Sequence, residues 1–352
     1  MKAAYMNIGG RKVGFGHEPL VIAEMSGNHN GSLDRALALV DAAAAAGAHA
    51  LKLQTYSADS MTLDLDRDEF VVQDPTSPWR GRTLHALYSE AATPREWHGP
   101  ILERCARLGL VGFSTPFDVS AVSFLEALDV PCYKIASFEI VDLELIRAAA
   151  ATGKPLIVST GMATLGEIAD AVEAARTAGC SQFVLLKCTS SYPADPRDSN
   201  LVTIPHMREL FGCEVGLSDH TLGLGAAVAA VALGATVIEK HFTLSRADGG
   251  VDSSFSLEPD ELRMLVVETA RAYQALGSVV YRPTRSEEAS RVFRRSLYIV
   301  EDVEAGGLLT QSNLRAIRPG HGLLPKYRQV LLGRRVNRAV RRGTPATWDL
   351  VG

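Results

Sequence analysis

The sequence has little of what would commit it to a special environment. Its five cysteines, none in a C-x-x-C arrangement, are an odd set that makes no disulfide framework, so a reducing compartment is expected. There is no basic excess: 36 Lys and Arg stand against 40 Asp and Glu, a formal charge of −4, which argues against a nucleic-acid surface. No apolar stretch with signal-peptide character opens the chain, since MKAAYMNIGGRKVGFG carries charges and glycines where an apolar core would be. The longest uncharged stretch, the 18 residues from Thr221 to Ile238, is Ala-rich and broken by glycines. It is expected to be a buried helix over Leu222–Leu233 followed by a strand from Thr236, with no membrane span. A cytoplasmic location is the expectation. A G-x-G-x-x-G after the first strand-like run is also missing, which weakens a dinucleotide-binding fold.

What the 352 residues do contain is hydrophobic material, 47%, in a regular order. Short apolar runs, LVIAEMS (20–26), ALKLQTY (50–56), LVGFSTP (110–116), CYKIAS (132–137), PLIVST (155–160), FVLLKCTS (183–190), EVGLSDH (214–220) and TVIEKHFT (236–243), alternate with amphipathic helical patterns. Several of those patterns begin at Ser, Thr or Asp and end at Gly, a cap at each end. Near-continuous apolar strands separated by helices make a parallel sheet covered outside, and eight such units favour a closed (β/α)8 TIM barrel. The 57–93 segment, with Pro75, Pro78 and Trp79, reads as a rim insertion or lid. After Gly277 the periodicity gives way to short β-like pieces and 13 arginines from Arg282 onward. The expected layout is a hairpin cap over 1–19, a barrel over 20–280, a linker over 281–290 and a small, basic, β-rich domain over 291–352.

In such a barrel the C-terminal strand ends converge on the active site. Lys52 and Lys134 lie inside strand runs, where branched apolar residues belong, and a desolvated lysine needs an anionic partner. That partner is either a protein carboxylate or a substrate phosphate and carboxylate, with a lysine Schiff base as a rival use. Ser and Thr at the neighbouring ends, Thr115, Ser137, Ser159 and Ser190, favour the anionic ligand because they donate hydrogen bonds without adding charge. His220 and His241 end consecutive runs, which brings two imidazoles within reach of one divalent ion, Mn²⁺, Mg²⁺ or Zn²⁺, acting on a carbonyl. Glu24 and Glu139, at or just past strand ends, are candidates to move a proton. The residues alone thus reach a metal-assisted reaction at a carbonyl with a small anionic substrate. A non-catalytic protein that holds a glycan through the basic tail is the reading of another class.

The motifs VIAEMSGNHNGSLDRA, YKIASFEI, IVSTGMATLGEI, LLKCTSSYPADP, VGLSDHTLG, VIEKHFTLSRADGGVDSSFSLEP and LRAIRPGHGL resemble those of the sialic acid synthase family, in its pseudaminic branch. The resemblance implies a (β/α)8 barrel followed by an antifreeze-like SAF domain, exchanged between two chains of a homodimer. It implies condensation of phosphoenolpyruvate (PEP) with an amino sugar, helped by Mn²⁺ or Mg²⁺ on His220 and His241. By the same resemblance Lys52, Thr115, Lys134, Ser137, Ser159 and Ser190 hold PEP, while Glu24 handles the proton of the attacking water. Glu139, Asp252 and Tyr192 face the sugar, as do Phe293 and Arg318, the last reaching it from the partner chain. One departure stands out: the sialic acid branch resembles C-T-N-x-Y-P where this chain reads C-T-S-S-Y-P, with the shorter Ser190 in place of an amide.

Overall fold

The computed structural model describes residues 5–75 and 77–352. The first four residues of the expected 1–19 cap, and Thr76 in the 57–93 insertion, lie outside the described residues. The chain divides into two compact units, Met1–Gly277 and Ser278–Gly352.

The first unit opens with an antiparallel hairpin, β1 (Met6–Ile8) against β2 (Arg11–Val13). Eight parallel strands follow: β3 (Leu20–Glu24), β4 (Ala50–Thr55), β5 (Val111–Pro116), β6 (Tyr133–Ile135), β7 (Leu156–Ser159), β8 (Phe183–Cys188), β9 (Glu214–Ser218) and β10 (Val237–His241). Each pairs with its sequence neighbour and β10 pairs back onto β3, so the sheet closes into a barrel. The closure inferred from counting eight apolar runs is therefore present. The 18 uncharged residues resolve into a helix, Gly225–Ala232, and the start of β10. No helix among the described residues is long and apolar enough to cross a membrane.

Helices start where the chain offers a side-chain acceptor to the free backbone N–H groups. Ser32, Asp118, Asp142 and Thr164 each cap one, and Thr164 forms a reciprocal box with Glu167. Gly47, Gly109, Gly153 and Gly179, all at positive φ, follow helix ends and let the chain turn back toward the next strand.

Alternation then sorts the strand residues into two sets. Val21, Leu51, Leu53, Tyr133, Ile135, Val158, Leu185, Val215, Leu217 and Ile238 face the helices and build the large core. Leu20, Ile22, Ala50, Val111, Phe113, Cys132, Ile157, Val184, Leu186 and Val237 form a second cluster with Met6, Ile8 and Val13 of the hairpin. These are the inward residues of the strand beginnings, so the hairpin plugs the N-terminal end of the barrel. Gly216 completes that packing: a Cβ there would collide with the Val237 carbonyl and the Leu186 side chain.

The second unit has its own core of Leu297, Ile299, Val303, Leu309, Leu314, Leu331, Val336, Val340, Ala346 and Leu350. It is built on an antiparallel pair, β11 (Ser296–Ile299) with β12 (Leu314–Ile317), and on isolated bridges such as Val303 with Val340.

Candidate active site

The parity that makes Leu20 and Ile22 point inward also turns Glu24 inward, two residues later and at the opposite end of the barrel. The same step carries Ala50 to Lys52, Phe113 to Thr115, Cys132 to Lys134, Ile157 to Ser159, Leu186 to Cys188 and Val237 to Glu239 and His241. The upper interior of the barrel is therefore polar and charged, on strands whose lower interior is apolar.

Four charged groups meet there with almost no solvent. Lys52 and Lys134 are 3% and 2% exposed, and Glu24 and Glu239 are as deeply buried. Lys52 Nζ lies 2.6 Å from Glu24 Oε2 and 3.8 Å from Glu239 Oε1, and it donates to Thr115 Oγ1 at 3.2 Å. Lys134 Nζ donates to both Glu239 oxygens, at 2.8 and 3.1 Å, and Ser218 Oγ donates to the same carboxylate. Gln54 Nε2 donates to Glu24 Oε1 at 2.8 Å. The protein thus supplies its lysines with carboxylates of its own.

The two carboxylates are not equivalent. Burial pushes Glu239 up, but two ammonium groups, Lys134 and then Lys52, outweigh it and hold it at about 2. For Glu24 burial dominates and the Glu239 charge adds to it, so its carboxyl is raised despite Lys52. One carboxylate is a fixed anion tying two lysines together, and the other is poised to take a proton.

Beside this quartet, His220 and His241 stand with ring centroids 5.4 Å apart. His220 Nδ1 faces the Thr189 carbonyl at 2.9 Å, and since a carbonyl only accepts, this nitrogen carries the hydrogen. Burial lowers the ring's pKa but Cys188 and the Thr189 carbonyl raise it overall, and Nε2 offers a lone pair in the neutral form of the ring. His241 Nδ1 is buried with no hydrogen-bond partner, and burial and neighbouring cations keep the ring well below its usual pKa, hence neutral. Asp252 Oδ2 approaches it at 3.7 Å while accepting a short hydrogen bond from Ser26. Two neutral-capable imidazoles with an unspent nitrogen suit a divalent ion, and no group of three or more His, Cys, Asp and Glu among the described residues is arranged to hold one. An ion here would draw its remaining ligands from water and substrate.

The other expected residues of the first unit have these surroundings. Ser159 Oγ is buried and unpaired, Ser137 Oγ accepts from Gly161 N at 3.0 Å, and Ser190 approaches Cys188. Gly161 is glycine for a physical reason: a Cβ would run into both Ser137 and Ser190 hydroxyls. Glu139, on the 3₁₀ turn Phe138–Val141, has a buried Oε2 with no partner, and burial lifts its carboxyl to about 7. The Tyr192 ring lies tilted against that of His220, 4.4 Å between centroids. Phe293 and Arg318 belong to the second unit, where both are exposed.

Sequence reasoning gave no role to Glu239, although it shares a face with His241 two residues on. It likewise passed over Cys188, whose thiol burial pushes up but His220 and Ser137 bring down to about 7. Lys240 and Asp219 pair at 2.8 Å on the outer face of the barrel, away from this site. Lys187 also points outward, donating to the Cys188 carbonyl.

Comparison with known proteins identifies the family. Residues 39–281 match the NeuB family and residues 294–352 the SAF domain. The pseudaminic acid synthase of Campylobacter jejuni subsp. jejuni serotype O:2 is 43% identical over 323 residues, 92% of this chain and 94% of that protein. The N,N'-diacetyllegionaminic acid synthase of Legionella pneumophila subsp. pneumophila is 35% identical over 335 residues, 94% of this chain and 93% of that one. Among solved structures, the N-acetylneuraminic acid synthetase of Leptospira borgpetersenii serovar Hardjo-bovis, crystallised with citrate, superposes with a TM-score of 0.73 at 34% identity, covering 82% of this chain and 95% of its own. With its closed barrel, its charged upper interior and its C-terminal SAF domain, the chain belongs to the NeuB family and is an enzyme of that family of nonulosonic acid synthases.

Proposed function

We propose that the protein is a pseudaminic acid synthase, condensing PEP with 2,4-diacetamido-2,4,6-trideoxy-L-altrose and water to give pseudaminic acid and phosphate. The observation that carries the chemistry is a pair of buried lysines placed next to a pair of histidines with unspent nitrogens. The sugar assignment rests on the 43% identity to a pseudaminic acid synthase, against 35% and 34% for the legionaminic and neuraminic relatives. Ser190, in the position where the sialic branch has an amide, supports the same choice.

Lys52 and Lys134 receive the phosphate and carboxylate of PEP, with Thr115, Ser137, Ser159 and Ser190 donating to the remaining oxygens. Ser159, buried without an acceptor, gains one when PEP enters. Bound at His220 and His241, Mn²⁺ or Mg²⁺ supplies Lewis-acid polarisation of the sugar's aldehyde. PEP C3 forms the new bond to the aldehyde carbon as that carbon's C=O π bond opens onto oxygen. Water oxygen adds to C2, and the C2–O bond to phosphate breaks to leave a C2 ketone. The water's two protons end on the new hydroxyl and on the departing phosphate. Glu24 takes a proton of that water, a role for which burial and the Glu239 charge raise its carboxyl, while Lys52 keeps Glu239 and the PEP anion as partners. Glu139, Asp252 and Tyr192 orient the sugar, and Arg318 and Phe293 approach it from the partner chain of a domain-swapped homodimer. The fixed dipoles and ammonium groups of this dry site are in place before the reaction begins.

The test is phosphate release from PEP with Mn²⁺, run in parallel with the trideoxy diacetamido altrose and with N-acetylmannosamine, each product identified by mass. Release with the trideoxy sugar alone is expected. Release with N-acetylmannosamine alone would keep the barrel chemistry and overturn the sugar assignment.

A further inference from the structure

The insertion between β4 and the helix at Leu84–Ala91 reaches back over the catalytic end through one side chain. Trp79 donates its indole N–H to the Val251 carbonyl at 2.7 Å, joining the insertion to the loop after β10. Its ring lies 5.5 Å from that of Tyr192 and 6.3 Å from that of Phe255. Tyr192 and Phe255 stand 5.2 Å apart, and both contact the histidine pair: Tyr192 lies 4.4 Å from His220, and Phe255 lies 5.0 Å from His241. Three aromatic rings drawn from three separate loops therefore form one wall beginning at the two imidazoles.

The chemistry of that wall is selective. Phe255 has no polar atom, and the only polar atom of Trp79 is already spent on a backbone carbonyl, so neither can hydrogen-bond a ligand hydroxyl. Ser190 lies within hydrogen-bonding reach of Tyr192, which leaves the far end of the wall apolar. An open-chain hexose held by its aldehyde beside His220 and His241 extends about 6 Å from C1 to C6. Tyr192 and Phe255 take up the first ring spacing from the imidazoles and Trp79 the second, 5.5 and 6.3 Å further on. A chain of that reach starting beside the histidines therefore runs along Tyr192 and Phe255 and turns its distal carbon toward Trp79.

We propose that Trp79 is a specificity-determining residue, closing the sugar subsite with an apolar face that accepts a C6 methyl group and offers no partner to a C6 hydroxyl. This rests on the sugar-condensing reading of the site. The Nε1–Val251 bond positions the ring and the ring face selects the substrate. An apolar pocket discriminates against an added hydroxyl by roughly 10²-fold at most, so the effect is large enough to measure and too small to be absolute.

The experiment compares kcat/KM for the trideoxy diacetamido sugar with that for its 6-hydroxy counterpart in the wild type, Trp79→Ala, Trp79→Gln and Trp79→Phe, using the full-length enzyme with PEP and Mn²⁺. PEP binding, measured by calorimetry, reports whether each variant keeps the barrel site. The expected result is a preference for the deoxy sugar that falls about tenfold in Trp79→Ala and Trp79→Gln, carried mostly by KM, and stays within about twofold in Trp79→Phe. An unchanged preference in Trp79→Ala and Trp79→Gln, whatever the loss of rate, would reduce Trp79 to a structural latch and overturn the proposal. Wild type that turns over neither sugar, with PEP bound normally, would instead overturn the functional reading, and the role of Trp79 with it.

Discussion

The two ends of the barrel are made from the same strands by the same alternation, and they hold opposite interiors. At the lower end Leu20, Ile22, Phe113, Ile157 and Val237 pack against the hairpin residues Met6, Ile8 and Val13, a dry cluster with no charge in it. At the upper end, two residues further along those strands, the same inward direction carries Glu24, Thr115, Ser159, Glu239 and His241. Burial is nearly complete in both places, so burial alone does not distinguish stability from function. What distinguishes them is unspent bonding capacity: the lower cluster has none to spend, while the upper end leaves Ser159 Oγ, Glu139 Oε2 and His241 Nδ1 buried and unpaired. A fold keeps such groups against their cost when something else comes to satisfy them.

That comparison breaks most sharply at the histidine pair. His220→Ala or His241→Ala is expected to lower sugar-dependent phosphate release by ~10³-fold or more, because each would remove half of the ligand pair proposed for the ion. A cooperative melting transition should persist, since the rings pack against Tyr192, Phe255 and each other rather than within the apolar clusters. Steady-state assay with added Mn²⁺ and a thermal melt check both halves. Near-wild-type turnover in either variant would remove the metal assignment.

At the lower end the expectation inverts. Ile8→Ala empties part of the plug and should cost about 2–4 kcal/mol of unfolding free energy, read by chemical denaturation. Turnover per folded molecule should stay within about twofold. A comparable loss of kcat in Ile8→Ala would show that the two ends are mechanically coupled and that the division drawn here is wrong.

Glu239 sits between these cases, because it stabilises and serves the site together. Glu239→Gln leaves Lys134 and Lys52 facing each other without their shared anion, and removal of one partner from a buried ion pair costs about 3 kcal/mol. The pH dependence follows from its depressed pKa. Stability from this group is complete above the unfolded carboxyl value of about 4.5 and is lost as pH falls toward about 2. Wild type should therefore lose part of its advantage over Glu239→Gln between those limits, in unfolding curves measured across pH. An advantage unchanged down to pH 2 would mean the lysines are held by something else.

Much of this was legible from the residues, and the part that was not has identifiable causes. The barrel followed from eight apolar runs with capped helices between them, since a parallel sheet covered on both faces leaves that pattern. Lys52 and Lys134 announced themselves by being charged inside strands. Glu239 was equally readable by alternation from His241, but EKH ends a strand with three polar residues, and the histidine drew the inference. Which partner a buried lysine takes depends on distances across the barrel, between residues such as Lys134 and Glu239 that are 105 positions apart. Trp79 was invisible as a site residue because the 57–93 insertion has no period from which to read a direction. Only the fold shows that it meets Tyr192 and Phe255.

The smallest expected effect refines the upper end rather than breaking it. Glu139 is lifted by burial to about 7, so near neutral pH it is divided between its two protonation states. If its carboxylate accepts a hydrogen bond from the sugar, kcat/KM for the sugar should fall by up to about tenfold per pH unit as pH drops below 7, where the carboxyl is protonated. Glu139→Gln removes the titrating group and should flatten that limb, at a plateau lowered by roughly tenfold. Burial of an ionising carboxyl also disfavours the folded state as it charges. Glu139 therefore contributes most to stability below its unfolded value of about 4.5, and that contribution declines as pH rises through about 7. The rate limb and the stability trend run in opposite directions along the pH axis, which separates them in one series of measurements. A limb that persists in Glu139→Gln would move the titration to another group at the mouth and leave Glu139 with a purely orienting part.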